Sequence, residues 1–327
     1  MTELHEFDRF EGRTVREGVV EDGPTRISML DYGCVLRDWR LNGAPMVLGF
    51  DSIADHRQYG ASFGIIAGRV ANRIARGRFS LGGQDYQLAI NNGPNHLHGG
   101  LTGLGRRIWD MEADSAARAL RFAYHSPDGE DGYPGAVDFE VIVSLSGTKL
   151  TYRMRAVPDR ETPINLAQHA YYSLGEANVR RHELMLDAES YTPVDDTLIP
   201  TGEIAPVAGS RFDFRQPRRI EDADPEAAGH DHNFVLRPGR DTSAPAAELR
   251  AGERHLRLWT DQPGIQLFTA PRLDVPVPGL DGRRYGAFAG LCMEAQHFPD
   301  SVNQPGFPSI LHSPDRPYTQ VLEVDIA

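Results

Sequence analysis

The 327 residues of this chain are enough to bury a sizeable core, and they fit one large all-β domain or two ordinary ones. The formal net charge of −12 argues against a nucleic-acid partner, which would require a clustered basic face. No apolar run approaches the roughly 18 residues that a membrane helix needs, so we expect no membrane partner either. A weakly charged or uncharged substrate fits this composition best.

The first ten residues and the cysteines both bear on the cellular compartment. The N-terminal residues lack the basic region followed by an apolar stretch that marks a signal peptide. Cys34 and Cys292 are the two cysteines, and in a chain of this length we interpret them as separate thiols in a reducing compartment. We therefore expect a cytoplasmic protein.

In chain order, the periodicity of apolar residues predicts strands almost throughout. Short alternating runs occupy 26–30, 120–124 and 256–260, and one short helical turn is expected near 54–59. The clearest prediction is a hairpin, in which the alternating runs 139–145 and 150–156 flank a turn that contains Gly147. No stretch of 12 residues or more keeps the 3.6-residue period of an amphipathic helix.

Two polar, proline-containing stretches, 206–225 and 238–251, are expected to be long surface loops rather than domain borders. No composition break, low-complexity linker or fixed-period repeat divides the sequence. We therefore predict a single all-β domain over residues 1–327, built as a large sandwich or barrel with few short helices.

The first candidate site residues lie in the N-terminal third of the chain. Arg73 could brace a turn, or it could offer a fork of donors to hydroxyl or carboxylate oxygens. In an extended segment, His96 and His98 would point to the same face, and the Gly99–Gly100 pair beside them would let a backbone or a ligand approach closely. Either histidine could equally serve only to hydrogen-bond neighbouring loops.

Further candidates follow in the C-terminal half. His169 is flanked by Gln168 and Tyr171, although a core histidine satisfied by a backbone carbonyl would look the same. Asp231 could accept hydrogen bonds from substrate hydroxyls or cap a turn. Gln266 lies on an otherwise apolar run, and its amide could bind a sugar hydroxyl or a neighbouring strand.

Glu294 is the sharpest local conflict in the sequence, because this carboxylate stands among Leu291, Cys292, Met293 and Ala295. Burial there raises the pKa of a carboxyl group and is costly unless the group is paired or protonated. A structural ion pair would explain Glu294 as well as catalysis would. The two His-x-His patterns, at 96–98 and 230–232, also raise metal binding, but no tight carboxylate cluster accompanies them, so no metal is expected.

Seven short segments, taken in order, resemble those of the aldose 1-epimerases, the galactose mutarotase family. They span nearly the whole chain and read Gly-Arg-Val-Ala-Asn72-Arg73-Ile, Asn95-His96-Leu-His98-Gly-Gly, Gly129-Glu-Asp-Gly-Tyr133-Pro-Gly, Asn165-Leu-Ala-Gln-His169-Ala-Tyr-Tyr, Asp231-His-Asn-Phe, Gln262-Pro-Gly-Ile-Gln266 and Glu294-Ala-Gln-His-Phe-Pro-Asp-Ser-Val-Asn303. The chain departs from the family at 167–168, where it has Ala-Gln instead of the common Thr-Asn, and at 172–173, where it has Tyr-Ser instead of Phe-Asn.

The resemblance implies a large antiparallel β-sandwich, often called a supersandwich, and an enzyme that interconverts the α and β forms of a free aldose. It implies that Glu294 is the general base and His169 the general acid. It also places around the sugar a set of five residues: Asn72, Arg73, His98, Asp231 and Gln266. No cofactor is implied, and a monomer or a homodimer is expected.

Two other functions stay open at this point. An epimerase for hexose 6-phosphates would need a basic phosphate pocket; Arg69, Arg73 and Arg76 are close in sequence, but two of the three are expected to face away. A non-catalytic carbohydrate-binding protein would not be expected to keep both His169 and Glu294.

Overall fold

The computed structural model describes residues 2–60 and 62–327, which are mostly β-strands. The strands are β1 (Thr2–Phe10), β2 (Arg13–Asp22), β3 (Thr25–Leu30), β4 (Val35–Leu41), β5 (Ala44–Pro45), β6 (Ile66–Ala67), β7 (Arg73–Ile74), β8 (Arg78–Leu81), β9 (Gln84–Gln87), β10 (His96–Leu97), β11 (Asp110–Asp114), β12 (Ala119–Ser126), β13 (Val137–Ser146), β14 (Lys149–Pro158), β15 (Thr162–Pro163), β16 (Ala167–Gln168), β17 (Glu183–Leu186), β18 (Ala188–Tyr191), β19 (Ala205–Pro206), β20 (Arg218–Arg219), β21 (Asp231–Leu236), β22 (Ala247–Ala251), β23 (Arg254–Thr260), β24 (Gly264–Phe268), β25 (Cys292–Gln296), β26 (Leu311–His312) and β27 (Tyr318–Ile326). Two α-helices occur among these residues, α1 (Ile53–Tyr59) and α2 (Ile220–Ala223).

The predicted hairpin and helical turn are both confirmed. Strand β13 buries every second residue, and its Ser146 pairs with Lys149 of β14, so Gly147 and Thr148 alone form the connection. Gly147 has a φ of 60°, a conformation that glycine adopts without steric cost. Helix α1 begins after Ser52, whose hydroxyl oxygen accepts a hydrogen bond from the N–H of Asp55.

The strands form three large sheets and four two-stranded ladders. The largest sheet has nine strands in the order β11-β12-β13-β14-β27-β23-β22-β17-β20. Two five-stranded sheets have the orders β1-β2-β3-β4-β5 and β19-β18-β21-β24-β25. Neighbouring strands in all three sheets are antiparallel, which confirms the all-β prediction.

The main core lies between these sheets. One buried cluster includes Trp39 of the first five-stranded sheet, Phe122 and Tyr152 of the nine-stranded sheet, and Phe234 and Leu267 of the second five-stranded sheet. Sheets bury their apolar faces by packing on one another, and this shared cluster makes the molecule a large antiparallel β-sandwich. The single domain over residues 1–327 stays a prediction.

The prediction of two long surface loops is wrong in part. The stretch 206–225 contains β20 and α2, and it buries the side chains of Phe214 and Ile220. The stretch 238–251 ends in β22, which lies inside the nine-stranded sheet between β17 and β23. These strands are short and partly polar, and they form because neighbouring strands supply their hydrogen-bond partners.

Two further expectations can be compared with the structure. Cys34 and Cys292 are both free and buried, as expected for separate thiols. No helix within the described residues has the length and apolar character that a membrane span requires.

Candidate active site

The second five-stranded sheet carries three of the predicted site residues on one face. Glu294 is the central residue of β25 and pairs with Gln266 of β24, which in turn pairs with Asn233 of β21. Residues directly opposite each other on neighbouring strands share a face, and so do residues two apart on one strand. Asp231 therefore projects to the same side, where its Oδ1 accepts a hydrogen bond of 2.6 Å from Gln266 Nε2.

Backbone hydrogen bonds to two other segments, residues 64–65 and the segment around Leu291, bring His169 to this face. Its N–H donates to the Ile65 carbonyl at 3.0 Å, and its carbonyl accepts from the Gly64 N–H at 2.9 Å. Three residues later, Tyr172 exchanges two backbone hydrogen bonds with Leu291, which ties the His169 segment to the segment that enters β25.

The imidazole and the carboxylate consequently meet. His169 Nε2 lies 3.5 Å from Glu294 Oε1, and the two side chains are only 5% and 2% exposed. The imidazole also stacks on the Tyr171 ring, with centroids 5.2 Å apart and planes at 16°. The pair predicted from positions 169 and 294 is therefore formed, with an aromatic ring holding the plane of the imidazole.

Burial shifts the pKa values of both groups toward their neutral forms. It lowers the pKa of His169 to about 4, because the charged imidazolium loses its hydration. It raises the pKa of Glu294 well above its usual range; the negative charge of Asp231 adds to this effect and the positive charge of Arg73 opposes it. The two groups titrate together, since at 3.5 Å the charge of either one favours the charge of the other.

His98 reaches the pair from a strained turn rather than from an extended strand. Its φ is 50°, and its ring centroid lies 5.1 Å from that of His169. His96 turns elsewhere, toward the Tyr133 hydroxyl at 2.7 Å and the Ala89 carbonyl at 2.8 Å. The prediction that His96 and His98 share one face is therefore wrong, because β10 ends at Leu97 and the alternation of a strand ends with it.

The backbone of Asn72 fixes the tautomer of His98. The Asn72 N–H donates to His98 Nδ1 at 3.1 Å, so Nδ1 is the acceptor and Nε2 carries the hydrogen of the neutral ring. Burial lowers the pKa of His98 well below its usual value, and the charges of His169 and Arg73 act in the same direction. His98 therefore offers the site an N–H donor.

Arg73 is braced on one side and faces Asp231 on the other. Its Nε donates to Asn92 Oδ1 at 2.9 Å, and its backbone N–H donates to Asn72 Oδ1 at 2.9 Å. One terminal nitrogen lies 3.6 Å from Asp231 Oδ2. Burial raises the pKa of Asp231, while Arg73 and Gln266 oppose that rise. Asn92 was missed in the sequence, where the polar turn at 91–95 was the available signal.

The seven residues predicted from the sequence thus form a continuous series of contacts. The series runs from Gln266 to Asp231, Arg73, Asn72, His98, His169 and Glu294. At the two positions where the chain departs from the family pattern, the side chains form local hydrogen bonds. Gln168 Oε1 accepts from the Ala170 N–H, and Ser173 Oγ accepts from the Gly175 N–H.

A metal site is geometrically conceivable but chemically unsuited to these residues. His98, His169 and Glu294 could each offer one ligand atom, all within 4.8 Å of one another. However, the hydrogen bond from Asn72 leaves a proton on His98 Nε2, and a protonated nitrogen cannot ligate a metal. The 230–232 pattern does not converge on this cluster, since His230 Nε2 contacts the Arg211 carbonyl and His232 packs on Phe212.

A phosphate pocket is not formed by the neighbouring arginines. Arg69 is buried and donates to the Pro127 and Gly135 carbonyl oxygens and to Ser126, so it fastens a loop. Arg76 is exposed. Of these three arginines, only Arg73 lies at the site.

Comparison with known proteins shows the family of this chain. The family model for aldose 1-epimerases matches residues 19–325. The chain is 40% identical over 316 residues to the galactose mutarotase of Sus scrofa, covering 93% of this chain and 92% of that protein. It is 31% identical over 298 residues to the aldose 1-epimerase of Escherichia coli K12, covering 86% of each.

Solved structures of epimerases have the same fold as this chain. Galactose 1-epimerase from Lactobacillus acidophilus superposes with a TM-score of 0.88 at 28% identity, covering 100% of this chain and 98% of that chain. An aldose epimerase homologue from C. elegans gives the same TM-score at 29% identity, covering 95% and 99% of the two chains. The supersandwich expected from the sequence is thereby confirmed, and with it the conclusion that this chain belongs to the aldose 1-epimerase family.

Proposed function

We propose that this chain interconverts the α and β anomers of a free aldose, with Glu294 as the general base and His169 as the general acid. One observation carries the assignment: a buried carboxylate and a buried imidazole lie 3.5 Å apart on a face lined with hydrogen-bonding side chains. Such a pair can accept and donate protons at two neighbouring oxygens of one sugar ring.

The reaction is a balanced exchange of protons. The Glu294 carboxylate removes the proton from O1 of the cyclic sugar while protonated His169 gives one to the ring oxygen O5, and the C1–O5 bond breaks. Rotation about C1–C2 presents the other face of the aldehyde. The two transfers then run in reverse, O5 attacks C1, and both side chains return to their starting states. No net oxidation, reduction or group transfer occurs.

The surrounding side chains suit the binding of hydroxyl groups. Arg73 and the Nε2–H of His98 are donors that would stabilise negative charge developing on the sugar oxygens. Asn72, Asp231 and Gln266 supply further acceptors and amide groups. Their positions are fixed by the hydrogen bond from the Arg73 N–H to Asn72 and by the one from Gln266 to Asp231.

We further propose a neutral, galactose- or glucose-like aldose as substrate. The names of the relatives, galactose mutarotase and galactose 1-epimerase, support galactose, and the arrangement of arginines argues against a phosphate group. A cytoplasmic location and a monomeric or homodimeric state complete the proposal. Measuring mutarotation of freshly dissolved α-aldoses, with their 6-phosphates alongside, would identify the preferred sugar.

Replacing either member of the pair tests the catalytic assignment. Glu294→Gln keeps the shape of the side chain but removes the base, and His169→Asn removes the acid. Each variant is expected to reduce kcat by about 10²–10⁴-fold in polarimetry, because each positioned proton-transfer group contributes about that factor. Circular dichroism would verify that both variants fold, and a folded variant with wild-type kcat would reject the role of that residue.

A further inference from the structure

A row of buried polar side chains extends from Glu294 across the sheet. Glu294, Gln266 and Asn233 pair in register on β25, β24 and β21. Thr192 follows β18, and its N–H donates to the Asn233 carbonyl at 2.9 Å, so Thr192 continues the same row. Gln296 stands two residues beyond Glu294 on β25 and therefore shares its face. All five residues are at most 3% exposed.

Many polar atoms of this row have no hydrogen-bond partner within the described residues. They are Thr192 Oγ1, Asn233 Oδ1 and Nδ2, Gln266 Oε1, Glu294 Oε2, and both the oxygen and the nitrogen of Gln296. Leaving a buried polar atom unpaired is costly in free energy, so native proteins satisfy nearly all such atoms. Seven of them in one row indicate a ligand-binding surface that the protein alone does not fill.

The packing of Gly264 shows how this surface is shaped. Gly264 is the neighbour of Gln296 in the register of β24 and β25. A Cβ atom at position 264 would lie 2.5 Å from Asn233 Oδ1 and 3.2 Å from the Phe298 ring. Because glycine has no side chain at position 264, the Asn233 amide can lie over the sheet beside the paired residues Gln266 and Glu294.

We propose that Thr192, Asn233 and Gln296 hold ordered water against the free oxygen of Glu294 and so keep the base ionised. The amide nitrogens donate to water oxygens, and the water donates to Glu294 Oε2. Water is the occupant that fits, because it can donate to the acceptors of the row and accept from its donors, with two to four bonds per molecule. The proposal rests on the role of Glu294 as the base.

None of the other described groups around Glu294 donates a hydrogen bond to its Oε2. His169 faces Oε1, Asp231 adds a negative charge, and Arg73 adds a positive one. His98, the Cys292 thiol and the Tyr171 hydroxyl are the other titratable groups close by, and burial favours the neutral form of each. A carboxylate becomes easier to ionise when it accepts hydrogen bonds, so water on Oε2 would act in the direction that catalysis needs.

Two nearly isosteric variants test the proposal, Thr192→Val and Gln296→Met. Each removes hydrogen-bonding atoms from the row without touching the reacting pair. In the pH profile of kcat/KM of Gln296→Met, the alkaline limb, which Glu294 sets, is expected to move upward by about one pH unit while the acidic limb stays, and kcat/KM at neutral pH is expected to fall about tenfold. Thr192→Val should change both in the same direction but by less, because Thr192 lies three strands away from Glu294. A crystal structure should show water within hydrogen-bond distance of Glu294 Oε2 in the wild type and not in Gln296→Met.

Gln320→Met is the matched control, since Gln320 is a buried amide whose hydrogen bonds go to Tyr318 and to the Ala295 carbonyl. Its loss should lower stability and leave the pH profile unchanged. A rise in KM alone in the Gln296 variant would mean that the amide binds the sugar directly and would overturn the proposal, as would an unmoved profile. If Glu294→Gln were fully active, the proposed function would fail instead, so the two failures are distinguishable.

Discussion

At the scale of single residues, burial opposes the charged form of both His169 and Glu294. The pKa of His169 falls to about 4 and that of Glu294 rises, so over a wide pH range the pair binds one proton between its two members. The proposed mechanism requires this proton on the imidazole. In that mechanism the sugar oxygens, Arg73 and the donor of His98 would favour this position of the proton.

Arg73→Lys tests whether the guanidinium group, rather than its charge alone, serves the sugar. Lysine keeps the charge but cannot hold Asn92 and face the site with separate nitrogens. Losing one or two charge-assisted hydrogen bonds should lower kcat/KM by about 10- to 100-fold. Arg69→Lys is the control, because Arg69 fastens a loop and its loss should reduce thermal stability more than kcat/KM. Equal kinetic losses in both variants would contradict this division of roles.

At the scale of elements, strands of one sheet position Asp231, Gln266 and Glu294, whereas short turns position Asn72 and His98. Asn72 and His98 both have left-handed backbone conformations, and each lies at the end of a two-stranded ladder. The segment around His98 is held by Gly99, whose φ is 83° and whose α-carbon approaches the Gly68 carbonyl so closely that a Cβ would overlap it. The glycine pair noted in the sequence thus allows backbone to approach backbone.

Gly99→Ala is therefore expected to displace the His98 turn. Alanine adds both left-handed strain of about 1–2 kcal/mol and an overlap that the fixed Gly68 carbonyl cannot relieve. Gly147→Ala in the β13–β14 turn is the control, since it has a φ of 60° and open space around its Cβ. In urea unfolding with polarimetry, Gly99→Ala should lose more stability than the control and should also lose activity. Equal stability losses would show that the overlap does not matter.

At the scale of the whole molecule, buried histidines connect stability to pH. His56 is buried on α1, both of its ring nitrogens lack partners within the described residues, and burial lowers its pKa to about 4. The unfolded chain keeps a histidine pKa of about 6.5, so it binds more protons than the folded chain between those two values. This contribution to stability is complete above pH 6.5 and is lost as the pH falls toward 4.

His56→Phe should make the protein less sensitive to acid. Phenylalanine cannot be protonated, so the variant should lose about 2 kcal/mol less unfolding free energy than the wild type between pH 7.5 and pH 5.0. Urea unfolding at the two pH values measures this difference. If both proteins lost the same amount, His56 would not remain neutral in the folded state as its burial requires.

The sequence by itself determined the strand-rich architecture, because alternation of apolar residues is a local property of each strand, as in β13 and β14. It also led to the predicted site residues, because the motifs that contain them are local as well. Tertiary structure alone decided that His169 and Glu294 meet, that His96 turns away from His98, and that Thr192, Asn233 and Gln296 extend the row beside the base. These facts depend on strand register and on contacts such as Tyr172 with Leu291, between segments far apart in the chain, and no local pattern specifies such pairings.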